Sequence, residues 1–121
     1  MRILLAEDDQ NITAVCEILL SHVGGFEVIS ESDGQKALNR ALNEPFDILL
    51  LDDMMPSLSG LEVAKQYLIQ HQKPAPILFL SARTQDEQLD RFAKIGSGFL
   101  AKPFEPQQLL DLVKQITSGA K

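Results

Sequence analysis

The stretch FDILLLDD, residues 46–53, decides the fold class of this chain. It holds a short and almost continuous apolar run from Phe46 to Leu51, followed at once by the carboxylates of Asp52 and Asp53. A run of this length with little polar alternation is typical of a strand buried on both faces, as in a parallel sheet covered by helices. The two acids mark the point at which the strand leaves the core.

Four other short apolar runs share this character, and amphipathic segments separate them. The runs begin at Ile3, Phe26, Ile77 and Phe99. Each amphipathic segment repeats apolar residues at spacings of three and four, which predicts a helix. The five predicted stripes are Ile12, Val15, Cys16, Leu19 and Val23; Ala37, Leu38, Ala41 and Leu42; Leu61, Ala64, Tyr67 and Leu68; Leu89, Phe92 and Ala93; and Leu109, Leu112, Val113 and Ile116.

The predicted element order is therefore βαβαβαβαβα. Such alternation indicates a parallel sheet with helices on both faces, joined by right-handed crossovers. Five strands in 121 residues match a flavodoxin-like (βα)5 three-layer sandwich with strand order 2-1-3-4-5. In that topology a crevice opens beyond the carboxyl ends of the first and third strands. We expect one domain over residues 1–121.

Composition and charge exclude several classes of protein. With 11 Lys and Arg against 17 Asp and Glu, the net charge is −6, which argues against direct binding of nucleic acid. One cysteine cannot form an internal disulfide, and no apolar run approaches the roughly 18 residues of a membrane span. The first apolar run reaches Glu7 too soon for a signal peptide. We expect a cytoplasmic protein without a membrane partner.

Polar groups follow the strands at the edge where open α/β sheets bind ligands. Acids from the first and third strands should converge there. A cluster of carboxylates without histidine or cysteine indicates a hard cation, and the small number of ligands leaves room for water, which favours Mg²⁺ over Ca²⁺. A carboxylate held beside Mg²⁺ and an ammonium group could accept a phosphoryl group. The strand-end groups are Glu7, Asp8 and Asp9; Asp52 and Asp53; Ser81; and Lys102.

Four motifs together resemble the receiver domain of two-component response regulators, over essentially the whole chain. They are Glu7-Asp8, the run DDMMPSLSG at residues 52–60, Ser81-Ala82, and FLAKPF at residues 99–104. The resemblance implies that Asp52 is the phosphoacceptor and that the Mg²⁺ ligands are Glu7, Asp8, Asp52 and the Met54 backbone carbonyl. It implies that Ser81 and Lys102 contact the phosphoryl group and that Ser81 and Phe99 form the switch. It also implies that Pro56, Gly60 and Pro103 are structural residues, with Pro103 after a cis peptide.

The resemblance also implies a function. A sensor histidine kinase or phosphotransfer protein would phosphorylate Asp52, the acid that stands three residues before Met55-Pro56, rather than Asp53. The domain would be no enzyme but a phosphoacceptor switch that assists its own phosphorylation and dephosphorylation. The surface of the fourth helix, fifth strand and fifth helix would control a downstream domain or partner, or pair with a second copy. Met54 cannot hydrogen-bond a hydrolytic water, which predicts slow self-dephosphorylation.

Three alternatives remain open at this point. A phosphatase of the haloacid dehalogenase type would carry its nucleophile in a D-x-D motif after the first strand, where this chain has Glu7-Asp8-Asp9. A flavodoxin-like FMN carrier would need a first loop rich in Thr, Ser and Gly, whereas the acidic loop here would repel a phosphate. A degenerate receiver could act only as a docking module.

Overall fold

The computed structural model describes residues 1–81, 96 and 98–118. The predicted fourth helix, with Leu89, Phe92 and Ala93, lies outside the described residues. The described strands are β1 (Arg2–Ala6), β2 (Glu27–Glu31), β3 (Ile48–Asp52), β4 (Ile77–Ser81) and β5 (Gly98–Ala101). The described helices are α1 (Gln10–Glu17), which continues in π-helical turns over Ile18–Val23, then α2 (Gly34–Asn43), α3 (Gly60–Gln70) and a C-terminal helix (Pro106–Thr117).

The five strands form one parallel sheet in the order β2-β1-β3-β4-β5, which confirms the predicted topology. The central strand β3 pairs with β1 on one side and with β4 on the other, so that Leu50 lies between Leu5 and Leu78. Since neighbouring parallel strands run the same way, their carboxyl ends share one edge. This arrangement brings the residues after β1, β3 and β4 together.

Alternate residues of the central strands point into two separate apolar layers. Leu4, Leu49 and Phe79 contribute to the layer under α2 and α3. Ile3 and Leu50 contribute to the layer under α1 and the C-terminal helix. Every residue of β3 and of β4 is buried. Burial on both faces is the reason why these strands lack polar alternation in the sequence.

The first helix differs from its predicted stripe. Cys16 and Leu20 are buried, whereas Val15 and Val23 are 48% and 63% exposed. The winding changes from α-helical to π-helical after Glu17, and a π-helix has more residues per turn. A stripe drawn at the α-helical period therefore drifts off the buried face, and Val23 points outward although its spacing fits.

Gly60 fixes the path of the chain beneath the end of β3. A Cβ atom at this position would overlap the backbone carbonyl oxygen of Asp52. Only glycine allows α3 to begin this close to the strand end. Ser59 caps the same helix, and its hydroxyl accepts a hydrogen bond from the Glu62 backbone N–H at 3.2 Å.

No helix in the described part of the chain combines the length and the apolar character that crossing a membrane requires.

Candidate functional site

Three carboxylates converge where β1 and β3 end. Glu7, Asp8 and Asp52 each offer one oxygen, and these oxygens lie within 4.8 Å of one another. Glu7 and Asp52 are 2% and 3% exposed, whereas Asp8 is exposed. The Glu7 backbone N–H donates to the Glu31 carbonyl at 3.0 Å, which continues the β1–β2 ladder and holds Glu7 at the sheet edge. The predicted convergence of these acids is therefore present in the structure.

Lys102 connects two of these carboxylates. Its Nζ lies 2.7 Å from Glu7 Oε1 and 3.1 Å from Asp52 Oδ1. Its backbone N–H donates to the Ser81 carbonyl at 2.7 Å, which holds the residue beside the end of β4. The Lys102–Pro103 peptide bond is cis. One ammonium group thus faces two buried carboxylates, and the exposed Asp8 adds a third negative charge.

The charges at this edge alter the protonation of Asp52 and Lys102. Burial, together with the hydrogen bond and charge of Glu7, raises the pKa of Asp52 from 3.8 to about 7, although Lys102 opposes the shift. Burial lowers the pKa of Lys102, but its contacts with Glu7 and Asp52 outweigh this effect and hold the pKa above its ordinary value. The cluster therefore carries an excess of negative charge that favours an added cation or proton.

Two side chains near the cluster have structural roles, as predicted. Asp9 caps α1, since its Oδ1 accepts the backbone N–H of Asn11 at 2.9 Å and of Ile12 at 3.3 Å. Cys16 packs in the core, and burial raises the pKa of its thiol to about 11. A buried thiol that stays protonated is a poor nucleophile.

Ser81 ends β4 beside a partner that the sequence prediction missed. Its side chain is fully buried, and its Oγ donates to Asp53 Oδ2 at 2.9 Å. Asp53 is 7% exposed, and its backbone N–H donates to the Leu80 carbonyl at 3.1 Å, so the ladder continues past Asp52. The sequence suggests Asp53 only as an alternative to Asp52. No local pattern indicates its contact with Ser81, because the two residues are 28 positions apart in the chain.

The other predicted site residues lie around the cluster. Phe99 is half-buried, pairs with Phe79 across the β4–β5 ladder and packs against the apolar layer under α2 and α3. The Met54 side chain is 60% exposed at the mouth of the site. Pro56 holds the loop after β3 in place, because its carbonyl accepts the Gly34 backbone N–H at 3.0 Å.

An apolar groove borders Lys102 on the side of α1. Its volume is about 440 Å³. Val15, exposed on α1, is one of its lining residues, which explains why an apolar side chain stands at that position without being in the core. The lining residues are Asn11, Ile12, Val15, Cys16, Lys102, Pro103, Phe104 and Pro106.

The fold and the site together define a doubly wound α/β domain with an acidic, lysine-bridged edge. Comparison with known proteins gives the family. A model of the response regulator receiver domain matches residues 3–114, and the chain belongs to that family. Membership of this family favours the receiver interpretation over the phosphatase and FMN-carrier alternatives.

The relatives include regulators and isolated receiver domains. The response regulator ArlR of Staphylococcus aureus is 34% identical over 118 residues, which are 95% of this chain and 52% of ArlR. The chain thus spans about half the length of the curated relatives it matches. Chemotaxis protein CheY4 of Vibrio cholerae is 32% identical, with a TM-score of 0.86 over 95% of this chain and 97% of that one. The receiver domain of sensor histidine kinase PA1611 of Pseudomonas aeruginosa is 27% identical, with a TM-score of 0.87 over 98% of both chains, and holds a magnesium ion in its active-site cleft.

Proposed function

We propose that this domain is a phosphorylation-dependent switch whose phosphoacceptor is Asp52. The observation that carries the proposal is the contact of Lys102 Nζ with both Glu7 and Asp52, inside a cluster of three carboxylates. A purely structural ion pair needs one acid for one base. Two buried acids and a third at the rim leave negative charge to be neutralised, which suits a site for a cation and a transferred phosphoryl group.

The residues present fit Mg²⁺. Glu7, Asp8 and Asp52 offer only oxygen atoms, and three ligands leave coordination positions for water and for phosphoryl oxygens. The Met54 backbone carbonyl would be a further ligand. When bound, the ion would supply positive charge that keeps Asp52 ionised and neutralises phosphoryl oxygens.

The chemical step is transfer from a phosphohistidine of a sensor kinase or phosphotransfer protein. A carboxylate oxygen of Asp52 attacks phosphorus, the new P–O bond forms, and the P–N bond breaks with its electron pair returning to the imidazole. The Lys102 ammonium, already 3.1 Å from Asp52 Oδ1, lies within reach of charge on the transferred group. The domain thus promotes its own phosphorylation without turning over a substrate of its own.

The output of the switch begins at Ser81 and Phe99. A phosphoryl group on Asp52 would attract the Ser81 hydroxyl, and the half-buried Phe99 ring on the neighbouring strand would move inward. The predicted fourth helix, which lies outside the described residues, would form a surface with β5 and the C-terminal helix that contacts a downstream domain, a partner or a second copy. Moving such an equilibrium from 1:99 to 99:1 takes about 5.5 kcal/mol. A few charge-assisted hydrogen bonds and an ion pair together contribute a free energy of that order. With a kinase as its partner, we expect this switch to act in the cytoplasm.

The test is phosphorylation by acetyl phosphate with Mg²⁺, followed by intact mass measurement. Wild-type protein and Asp53→Asn should gain one phosphoryl group, whereas Asp52→Asn should gain none. Circular dichroism of each variant shows whether it has folded. A folded wild-type protein that stays unmodified with Mg²⁺ would support the docking-module alternative, and an adduct retained in Asp52→Asn would refute the assignment of the phosphoacceptor.

A further inference from the structure

The last residue of β3, Asp52, and the residue that follows it, Asp53, contact different partners. Asp52 Oδ1 faces Lys102 Nζ at 3.1 Å, whereas Asp53 Oδ2 accepts the Ser81 hydroxyl at 2.9 Å. Ser81 and Asp53 are both buried, so their hydrogen bond is shielded from water. Such a bond to a carboxylate is stronger than one between neutral groups.

A serine hydroxyl carries a single proton and donates one hydrogen bond at a time. In the present arrangement Ser81 Oγ donates to Asp53 Oδ2. A Ser81 hydroxyl that donates to a phosphoryl oxygen on Asp52 has to release Asp53 first. The two acceptors are therefore mutually exclusive for this donor.

We propose that Asp53 is a positioning residue that competes with the phosphoryl group for the Ser81 hydroxyl and so holds the switch in its unphosphorylated arrangement. This inference rests on the proposed function of Asp52 and Ser81. The competing acceptor belongs to Asp53, which directly follows the phosphoacceptor at the end of β3, the strand that pairs with β4. Asp53 therefore raises the stabilisation that the phosphoryl group must provide to change the arrangement of Ser81, although Asp53 does not touch the reacting atoms.

The competition has a measurable consequence for a phosphoryl mimic. The trifluoroberyllate anion is tetrahedral when bound to a carboxylate oxygen, so it presents acceptors to Ser81 as a phosphoryl group does. In Asp53→Ala the hydroxyl has lost the competing carboxylate, and we expect roughly tenfold tighter binding of trifluoroberyllate in the presence of Mg²⁺. Tenfold corresponds to about 1.4 kcal/mol.

Removing a negative charge near an anion would also tighten its binding, and a double-mutant cycle separates the two effects. Affinity for trifluoroberyllate is measured by calorimetry at saturating Mg²⁺ in wild-type protein, Asp53→Ala, Ser81→Ala and the double variant. We expect the gain from Asp53→Ala to fall below twofold when Ser81 is already alanine. A charge effect would persist at full size in that background and would overturn the proposal.

A second variant keeps the test decisive if Asp53→Ala does not fold. Asp53→Asn retains an oxygen that accepts the Ser81 hydroxyl but lacks the charge, so its gain should be smaller and should again require Ser81. The populations of the Ser81 side-chain rotamers, followed by NMR couplings without any phosphoryl mimic, should change in Asp53→Ala and, to a smaller extent, in Asp53→Asn. Unchanged rotamer populations in both would overturn the proposal.

The outcome also distinguishes this inference from the proposed function. Wild-type binding of trifluoroberyllate that is lost in Asp52→Asn, combined with no coupling between Asp53 and Ser81, would refute only the competition. Absence of binding in every folded variant would refute the phosphoacceptor role and the competition together.

Discussion

Replacing Asp52 by asparagine should stabilise the metal-free protein at pH 8 and leave its stability almost unchanged at pH 4. The carboxyl group is 3% exposed, and burial next to Glu7 raises its pKa to about 7. The folded protein thus binds this proton more tightly than the unfolded chain does. Between about pH 4 and pH 7 the wild-type protein therefore loses stability as the pH rises, whereas the asparagine variant has no proton to lose at this position.

The size of the effect follows from the pKa. A rise from 3.8 to about 7 is roughly three units, and each unit corresponds to about 1.4 kcal/mol. The difference in unfolding free energy between Asp52→Asn and wild type should therefore grow by up to about 4 kcal/mol from pH 4 to pH 8. Carboxylates that do not contact Asp52 contribute equally to both proteins, so their contributions cancel in this difference.

Urea unfolding followed by far-ultraviolet circular dichroism measures this difference, with a chelator present. The control is Asp111→Asn, which neutralises an exposed acid on the C-terminal helix and should track the wild type at every pH. Added Mg²⁺ at a hundredfold excess over its Kd should stabilise the wild type by about 2.7 kcal/mol, and Asp52→Asn by less. A difference between Asp52→Asn and wild type that stays constant from pH 4 to pH 8 would refute the reasoning.

Three further predictions concern the support and chemistry of the site. Gly60→Ala should lower the unfolding free energy by more than about 2 kcal/mol, because its Cβ would overlap the Asp52 carbonyl oxygen. As the control in the same urea titration, Gly98→Ala should lower it by less than about 1 kcal/mol, because its Cβ would have only ordinary contacts from 3.4 Å. Equal losses in the two variants would contradict this prediction. Lys102→Met should lower the unfolding free energy by about 3 kcal/mol at pH 8, because two buried carboxylates lose their cationic partner. The loss should be smaller at pH 5, where Asp52 takes up a proton. A loss that does not depend on pH would contradict the ion-pair argument. Met54→Asn should speed loss of the phosphoryl group by about tenfold, through one hydrogen bond to the attacking water, as followed by intact mass over time; an unchanged lifetime would rule this out.

Much of the fold could be predicted because a strand buried on both faces appears in the sequence as a short run of consecutive apolar residues. The apolar runs that begin at Ile3, Phe46 and Ile77 cover most of β1, β3 and β4, whose residues meet helices on both faces, although β3 starts only at Ile48. The edge strand β2 was less well bounded. It spans Glu27–Glu31 rather than starting at Phe26, because a half-exposed strand tolerates polar residues and its apolar run is short.

The position of the candidate site could also be predicted, because parallel strands bring their carboxyl ends to one edge. Glu7, Asp52 and Lys102 come from three different strand ends, and strand order alone places them near one another. Their roles in phosphoryl transfer stay predictions until the phosphorylation experiment is done. Asp9 could be assigned to the helix cap by its local position, since capping depends on neighbours two and three residues away.

The doubly wound fold and the sheet edge at which the acids meet could be predicted from the sequence, because both depend on patterns repeated along the chain. The acceptor of the Ser81 hydroxyl, and the position of Val15 in a groove instead of the core, follow from the packing of the folded chain. Ser81 and Asp53 are 28 residues apart, and a single proton goes to whichever acceptor lies within hydrogen-bonding distance. That distance depends on how two strands and their side chains pack in space, and no local pattern of residues predicts this packing.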